Sequence, residues 1–185
     1  MVWRALFFMT DIFHIIPSIA KEGSGPSYSV SRLCDSLNNH GNKTTLIALR
    51  WDEILHDKEN YKTFPVSWGL KRLGVSRLMK KWLFFQAKLK NILLIHNHGM
   101  WQFNSLYPGI VAKKFNIPFV VSPRGAFSSY AMANGSKFKW LFWHLFQKPS
   151  FNSVDAFHAT SKNEYYDIRR LGFRQPVSII PNGID

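Results

Sequence analysis

Arg124 stands in the segment SPRGAF, between Pro123, which closes an apolar run, and Gly125, which permits close approach of backbone. A guanidinium is a planar fork of donors with no acceptor, suited to phosphate or carboxylate. No acidic residue lies near it in sequence, so its partner is either an anionic ligand group or an acid distant along the chain. Gly23, Ser24 and Gly25 of KEGSGPS form a Gly-rich lead-in to a helix. Free amides and the helix dipole there favour an anion such as phosphate, the plainer reading being a structural turn. The third glycine of the dinucleotide fingerprint is missing, which disfavours a dinucleotide-dependent enzyme. His96 and His98 of HNHGMW are two apart at the end of an apolar run, hence on one face of a strand. They could be a metal pair, hydrogen-bond a ligand edge or cap the strand end. Carboxylates are absent around them and Cys34 is the single cysteine, so further ligands are hard to find and no metal is expected.

These residues need elements that bring them together. WRALFFM reads as a buried first strand, followed by a loop, TDIFHIIPSIAKEGSG. A helix follows over PSYSVSRLCDSLNNHG, with Tyr28, Val30, Leu33, Cys34 and Leu37 on one face, Pro26 in its first turn and Gly41 at its stop. KTTLIAL, NILLIHNHG, IPFVVSPRG, VDAFHATS and VSIIPNG are further short apolar runs, each ending in a polar or glycine tip. Between them lie helix-like SLYPGIVAKKFN, SKFKWLFWHLFQK and KNEYYDIRRLG. Continuous apolar strands alternating with helices predict an α/β, doubly wound, mostly parallel sheet covered on both faces. In such sheets ligands bind beyond the carboxyl ends of the strands. The tips to watch are therefore Gly23 to Gly25, His96 to Trp101, Ser122 to Phe127, Thr160-Ser161 and Pro181 to Gly183.

With 185 residues the chain suits one domain, 1–185, and its single cysteine excludes an internal disulfide framework and fits a reducing compartment. The net charge of +13 is concentrated: no Asp or Glu occurs between Glu59 and Asp155, a stretch holding 14 Lys or Arg, while the flanks are near neutral. A field of one sign attracts an anionic partner. Residues 66–90 place Lys71, Arg72, Arg77, Lys80, Lys81, Lys88 and Lys90 among Leu70, Leu73, Leu78, Trp82 and Phe85, which suits an anionic membrane surface. The aromatic helix SKFKWLFWHLFQK reads instead as core-facing. Single-stranded nucleic acid is favoured by charge alone and no nucleic-acid motif accompanies it, so none is expected as a partner.

Taken in order, the Gly-rich loop ending SGP, HGN, LLIHNHGMW, NIPFVVSPRGAF, DAFHATSKNEYYDIRRLGF and VSIIPNGID resemble the amino-terminal domain of retaining glycosyltransferases of family 4, with the two-domain GT-B fold. The resemblance covers nearly the whole chain and is weakest over residues 51–90. It implies transfer of a sugar from a UDP- or GDP-linked donor to a polysaccharide or lipid-linked saccharide acceptor, without a cofactor or metal. It places Gly23, Ser24, Gly25, Arg124, Gly125, Ser161, Asn182 and Gly183 around the donor phosphates and sugar, and His98 and Trp101 on the acceptor side. Ser161 is expected to face the cleft and Glu164 to cap or pair on its own helix. The IPNGID segment corresponds to the hinge into a second, nucleotide-holding domain, absent here, so this chain alone is expected to be inactive. The implied location is cytoplasmic, peripheral at the inner face of the cytoplasmic membrane. The alternative is a non-enzymatic module binding an anionic lipid or glycan.

Overall fold

The computed structural model describes residues 11–19, 25–51, 58–67, 73–134 and 137–183. Among these residues seven parallel strands form one sheet in the order β3-β2-β1-β4-β5-β6-β7. They are β1 (Asp11–Ser18), β2 (Thr44–Arg50), β3 (Tyr61–Pro65), β4 (Ile92–His98), β5 (Phe119–Ser122), β6 (Ala156–Ala159) and β7 (Val177–Ile179). The longer helices are α1 (Gly25–Asn39), α2 (Arg77–Lys88), α3 (Tyr107–Phe115) and, after two short ones (α4, Ser129–Ala133, and α5, Lys137–Phe142), a π-helical turn Trp143–Gln147 that runs into α6 (Lys148–Ser150). α7 (Lys162–Arg170) precedes the last strand. Strand order reverses between β1 and β4, and a crevice at the carboxyl ends of those two strands is where open parallel sheets place ligands.

The first described strand is DIFHIIPS, a stretch expected to be loop; the expected strand WRALFFM lies outside the described residues. Asp11 and His14 break the apolar run on paper. In the fold, Phe13 and Ile15 enter one core, Ile16 enters another, and His14 is buried between histidine rings. β3 was not expected at all: YKTFP is a short edge strand whose Lys62 and Pro65 are the residues that edges tolerate. In α1 the buried residues are Ser27, Val30 and Cys34, while Tyr28 turns outward under Arg32, 4.7 Å from its ring centre.

The two faces of the sheet are not equally covered. Phe13, Ile15, Ile47, Ile95, Val121 and Phe157 pack under α2, α3, α7 and the π-turn. On the opposite face Ile16, Leu46 and Ala48 pack against Val30 and Cys34 of α1. Beyond α1 that face bears Leu94, His96, Val120, Ala156 and His158, all half-exposed, so among the described residues the expected cover on both faces is incomplete. The aromatic helix is core-facing on one side only. Phe142, Trp143 and Gln147 are buried, whereas Phe138, Trp140, Leu141, Leu145 and Phe146 are exposed. The π-turn sets Trp143 and Gln147 on the buried side together, and Gln147 Oε1 accepts from the Trp101 amide at 3.3 Å and from Ser105 Oγ at 3.1 Å.

Candidate functional site at the strand tips

Four histidines occupy the open face at its carboxyl end. His14 and His96 are register partners on β1 and β4, and His98 follows two residues on, so side-chain alternation puts all three on one side. Ring centres are 3.9 Å apart for His96 and His98, 5.3 Å for His14 and His98, and 5.4 Å for His96 and His158 of β6. Burial lowers the pKa of His14 to about 4, helped by the nearby positive charges of Arg124 and His158 when protonated. Burial likewise pushes His96 and His98 well below the usual range, with the neighbouring histidines and Arg124 adding to it. The cluster is therefore neutral at pH 7. His14 was missed because it sits in a segment taken for loop.

Arg124 roofs this cluster. Its Nη2 donates to His98 Nδ1 at 3.2 Å, and its Nη1 donates to Asn182 Oδ1 and, at 3.5 Å, to Ser29 Oγ of α1. An arginine can only donate, so His98 Nδ1 is the lone-pair nitrogen and its proton lies on Nε2. That proton points at His14 Nδ1, 3.0 Å away. Among the described residues no carboxylate forms an ion pair with Arg124, and its Nε is buried without a partner. Burial lowers its pKa from the ordinary value and the charge of Glu164 draws it partly back.

The backbone of Arg124 is left-handed, φ 54°, and Gly125 follows at φ 77°. Trp101 is left-handed too, φ 76°. Among the described residues the other non-glycine positions with positive φ, Lys90 and Asn116, lie just past the ends of α2 and α3, where such a turn is ordinary. Trp101 and Arg124 have no helix to end; they sit in loops at the tips of β4 and β5, where strain is commonly a mark of function. Two anchors hold the Arg124 turn. Phe127 is fully buried among Trp143, Phe151, Phe157 and Phe173. Glu164, 4% exposed, accepts from the Gly125 amide at 2.7 Å, the Thr160 amide at 2.6 Å and Thr160 Oγ1 at 2.9 Å.

Ser161 and Glu164 both bond at the start of α7. Ser161 is exposed and its Oγ is the N-cap of α7, accepting from the Glu164 amide at 3.2 Å. Glu164 reaches off its helix to bind the turn that carries Arg124. His98, at 1% exposure, lies beneath Arg124, and Trp101 is half-buried with Lys139 Nζ 4.2 Å from its ring centre. Gly25 opens α1 with open space beside its Cα, and Asn182 and Gly183 are exposed. Gly23 and Ser24 lie outside the described residues. Arg124, Asn182, Ser29 and His98 are thus brought together; Ser161 and Trp101 are not in contact with them. A cavity of about 620 Å³ is lined by Asp11, Asp35, Asn38, Lys43 and Glu59 at the amino ends of β1 and β2, the opposite end from this crevice.

A profile of Glycosyltransferase Family 4 matches residues 23–185. The chain belongs to that family. No curated protein matches it in sequence. This family 4 domain shares its fold with HepE of Anabaena, solved with UDP and glucose, at TM-score 0.62 and 15% identity over 95% of this chain and 45% of that one. It is similar also to MurG of Acinetobacter baumannii, TM-score 0.55 and 10% identity over 92% and 45% of the two chains. A third match is an α-glucosyltransferase solved with UDP and a 13-mer DNA, TM-score 0.58 and 13% identity over 95% and 43%. At these identities the likeness is one of fold: the Rossmann-like amino-terminal half of the GT-B architecture. The family 4 chain spans less than half the length of each of these proteins.

Proposed function

We propose that this domain is the acceptor-side half of a retaining glycosyltransferase that moves a sugar from a nucleotide donor to a polysaccharide or lipid-linked saccharide. Arg124 carries the reading: a half-buried guanidinium without an acid partner among the described residues, held at a strand tip beside the switch point of a family 4 fold. HepE and the α-glucosyltransferase were each solved with UDP, which favours a UDP-linked donor over a GDP-linked one. In the transfer the bond from the anomeric carbon to the donor phosphate breaks and a bond to the acceptor oxygen forms on the same face. The acceptor proton passes to the departing phosphate oxygen. Negative charge grows on that phosphate, and a positioned guanidinium together with the amides at the start of α1 stabilises it. α1 has no acidic residue in its first turn to compete. The nucleotide itself would be held by a second domain joined through the segment at Asn182 and Gly183.

In the complete two-domain protein, Arg124→Ala is expected to lower turnover at least ~10-fold, about 1.4 kcal/mol of transition-state stabilisation. Steady-state kinetics with a UDP-sugar check this. Unchanged rates in a folded variant remove Arg124 from the site, and absence of any sugar transfer by the complete protein favours the non-enzymatic module. The chain by itself is expected to be inactive.

The basic segment 66–90 supports a location at the inner face of the cytoplasmic membrane, although residues 68–72 lie outside the described set. α2 buries Met79, Leu83 and Ala87 and exposes Leu78 and Phe85 between Arg77, Lys80, Lys81 and Lys88, with Leu89 and Lys90 beyond. Apolar side chains set in a basic face suit anionic lipid. Co-sedimentation with vesicles should rise with anionic lipid content and fall with salt; binding indifferent to both counts against the assignment. No helix among the described residues is long and apolar enough to cross a membrane.

A further inference from the structure

We propose that His14, His96 and His98 form a site for one divalent transition-metal ion of the zinc class, and that the ion competes with Arg124 for His98. One ring nitrogen from each of the three lies within 4.8 Å of the others. The His14 Nδ1 to His98 Nε2 separation of 3.0 Å is close to the roughly 3.3 Å between two nitrogens that share a tetrahedral zinc at ~2.0–2.1 Å. The argument from sequence against a metal was the want of a third ligand beside His96 and His98. β1 supplies it.

Two observations independent of that spacing point to a ligand. His96 Nε2 is buried without a hydrogen-bond partner. As mere core filling His96 leaves a polar nitrogen unpaired, a cost that an aliphatic residue there would avoid. The second is access. Half-buried His96 lies on the part of the sheet that no described helix covers, the side from which an ion would approach. A set of neutral imidazoles without carboxylate or thiolate suits zinc, copper, nickel or cobalt and does not suit calcium or magnesium.

The competition follows from counting protons. With Arg124 donating to His98 Nδ1, the single ring proton sits on Nε2 and is directed at His14. An ion on Nε2 requires that proton to move to Nδ1, where it meets the guanidinium N–H head on. The contact with Arg124 must then open, and the like charges of ion and guanidinium push the same way. The ring keeps one proton throughout, and none is gained or lost overall. The site stands or falls separately from sugar transfer, since it concerns occupancy of the histidines alone.

The test is a cobalt(II) titration of the untagged, chelator-treated chain, followed by visible absorption. Expected are saturation at one equivalent, displacement by zinc, and loss of the band in His14→Gln and His98→Gln. Arg124→Ala is expected to tighten binding by about tenfold, because it removes the competing cation and frees Nδ1. Absence of a saturable band overturns the proposal. So does binding unchanged in both folded histidine variants, or binding no tighter in Arg124→Ala. If circular dichroism shows either histidine variant unfolded, the Arg124→Ala arm decides, since that substitution replaces no ligand.

Discussion

Glu164→Ala is expected to lower the free energy of unfolding by about 3 kcal/mol, within the range for breaking a buried, hydrogen-bonded charge. The carboxylate is buried and accepts three hydrogen bonds, two of them from the amides of Gly125 and Thr160. Alanine removes the acceptor from both amides, that of exposed Gly125 and that of half-buried Thr160. For a domain of this size the melting midpoint should fall by roughly 6–12 °C. The local consequence matters more for the site. Gly125 is bonded to Arg124, whose left-handed backbone is unfavourable without support, so losing the acceptor frees the turn that aims the guanidinium. Glu164→Gln keeps one acceptor oxygen and should fall between the two. Thermal and urea unfolding of the three proteins check this, and a loss below about 1 kcal/mol in Glu164→Ala would show that the carboxylate is dispensable.

Glu164 also marks where the sequence stops informing. Strands of a buried parallel sheet are continuous apolar runs, so β2, β4, β5, β6 and β7 are legible directly, and with them the tips that carry His98 and Arg124. Arg124 stood out because charge and close glycine are both local properties. Glu164 reads as a residue at the start of a helix, because its hydrogen-bond partners are backbone amides brought from other loops by the fold. Only the meeting of the β5 and β6 tips reveals its role. His14 failed for a related reason. A histidine in an apolar run looks like an interruption until three more histidines from β4 and β6 stack beside it and burial strips its charge. The same run then becomes the central strand β1. The aromatic helix was half legible: composition indicates that it packs, but the π-turn decides which rings face inward.

Acid should destabilise this chain earlier than carboxylate titration would. His14 has a folded-state pKa of about 4 against 6.5 for the exposed ring, with burial the main cause and Arg124 and His158 the next. Between those values the unfolded chain binds a proton that the folded chain refuses, so stability rises with pH across the window. It is complete above the unfolded value and falls as pH drops toward 4, by about 3 kcal/mol for His14 over the whole range. His96 and His98 shift in the same direction, again chiefly by burial, and steepen the slope. Their surroundings hold Arg124 and His158 and, among the described residues, no ion-paired carboxylate that would reward protonation. Most carboxylates titrate below pH 5, so the interval from pH 7.5 to pH 5 isolates the histidines. Urea unfolding in chelating buffer across that interval should show a loss of about 2 kcal/mol attributable to His14, and His14→Leu should flatten the profile by that amount. A wild-type profile already flat there would mean that the buried rings accept protons without resistance, and the neutral cluster assigned to the cleft floor would have to be abandoned.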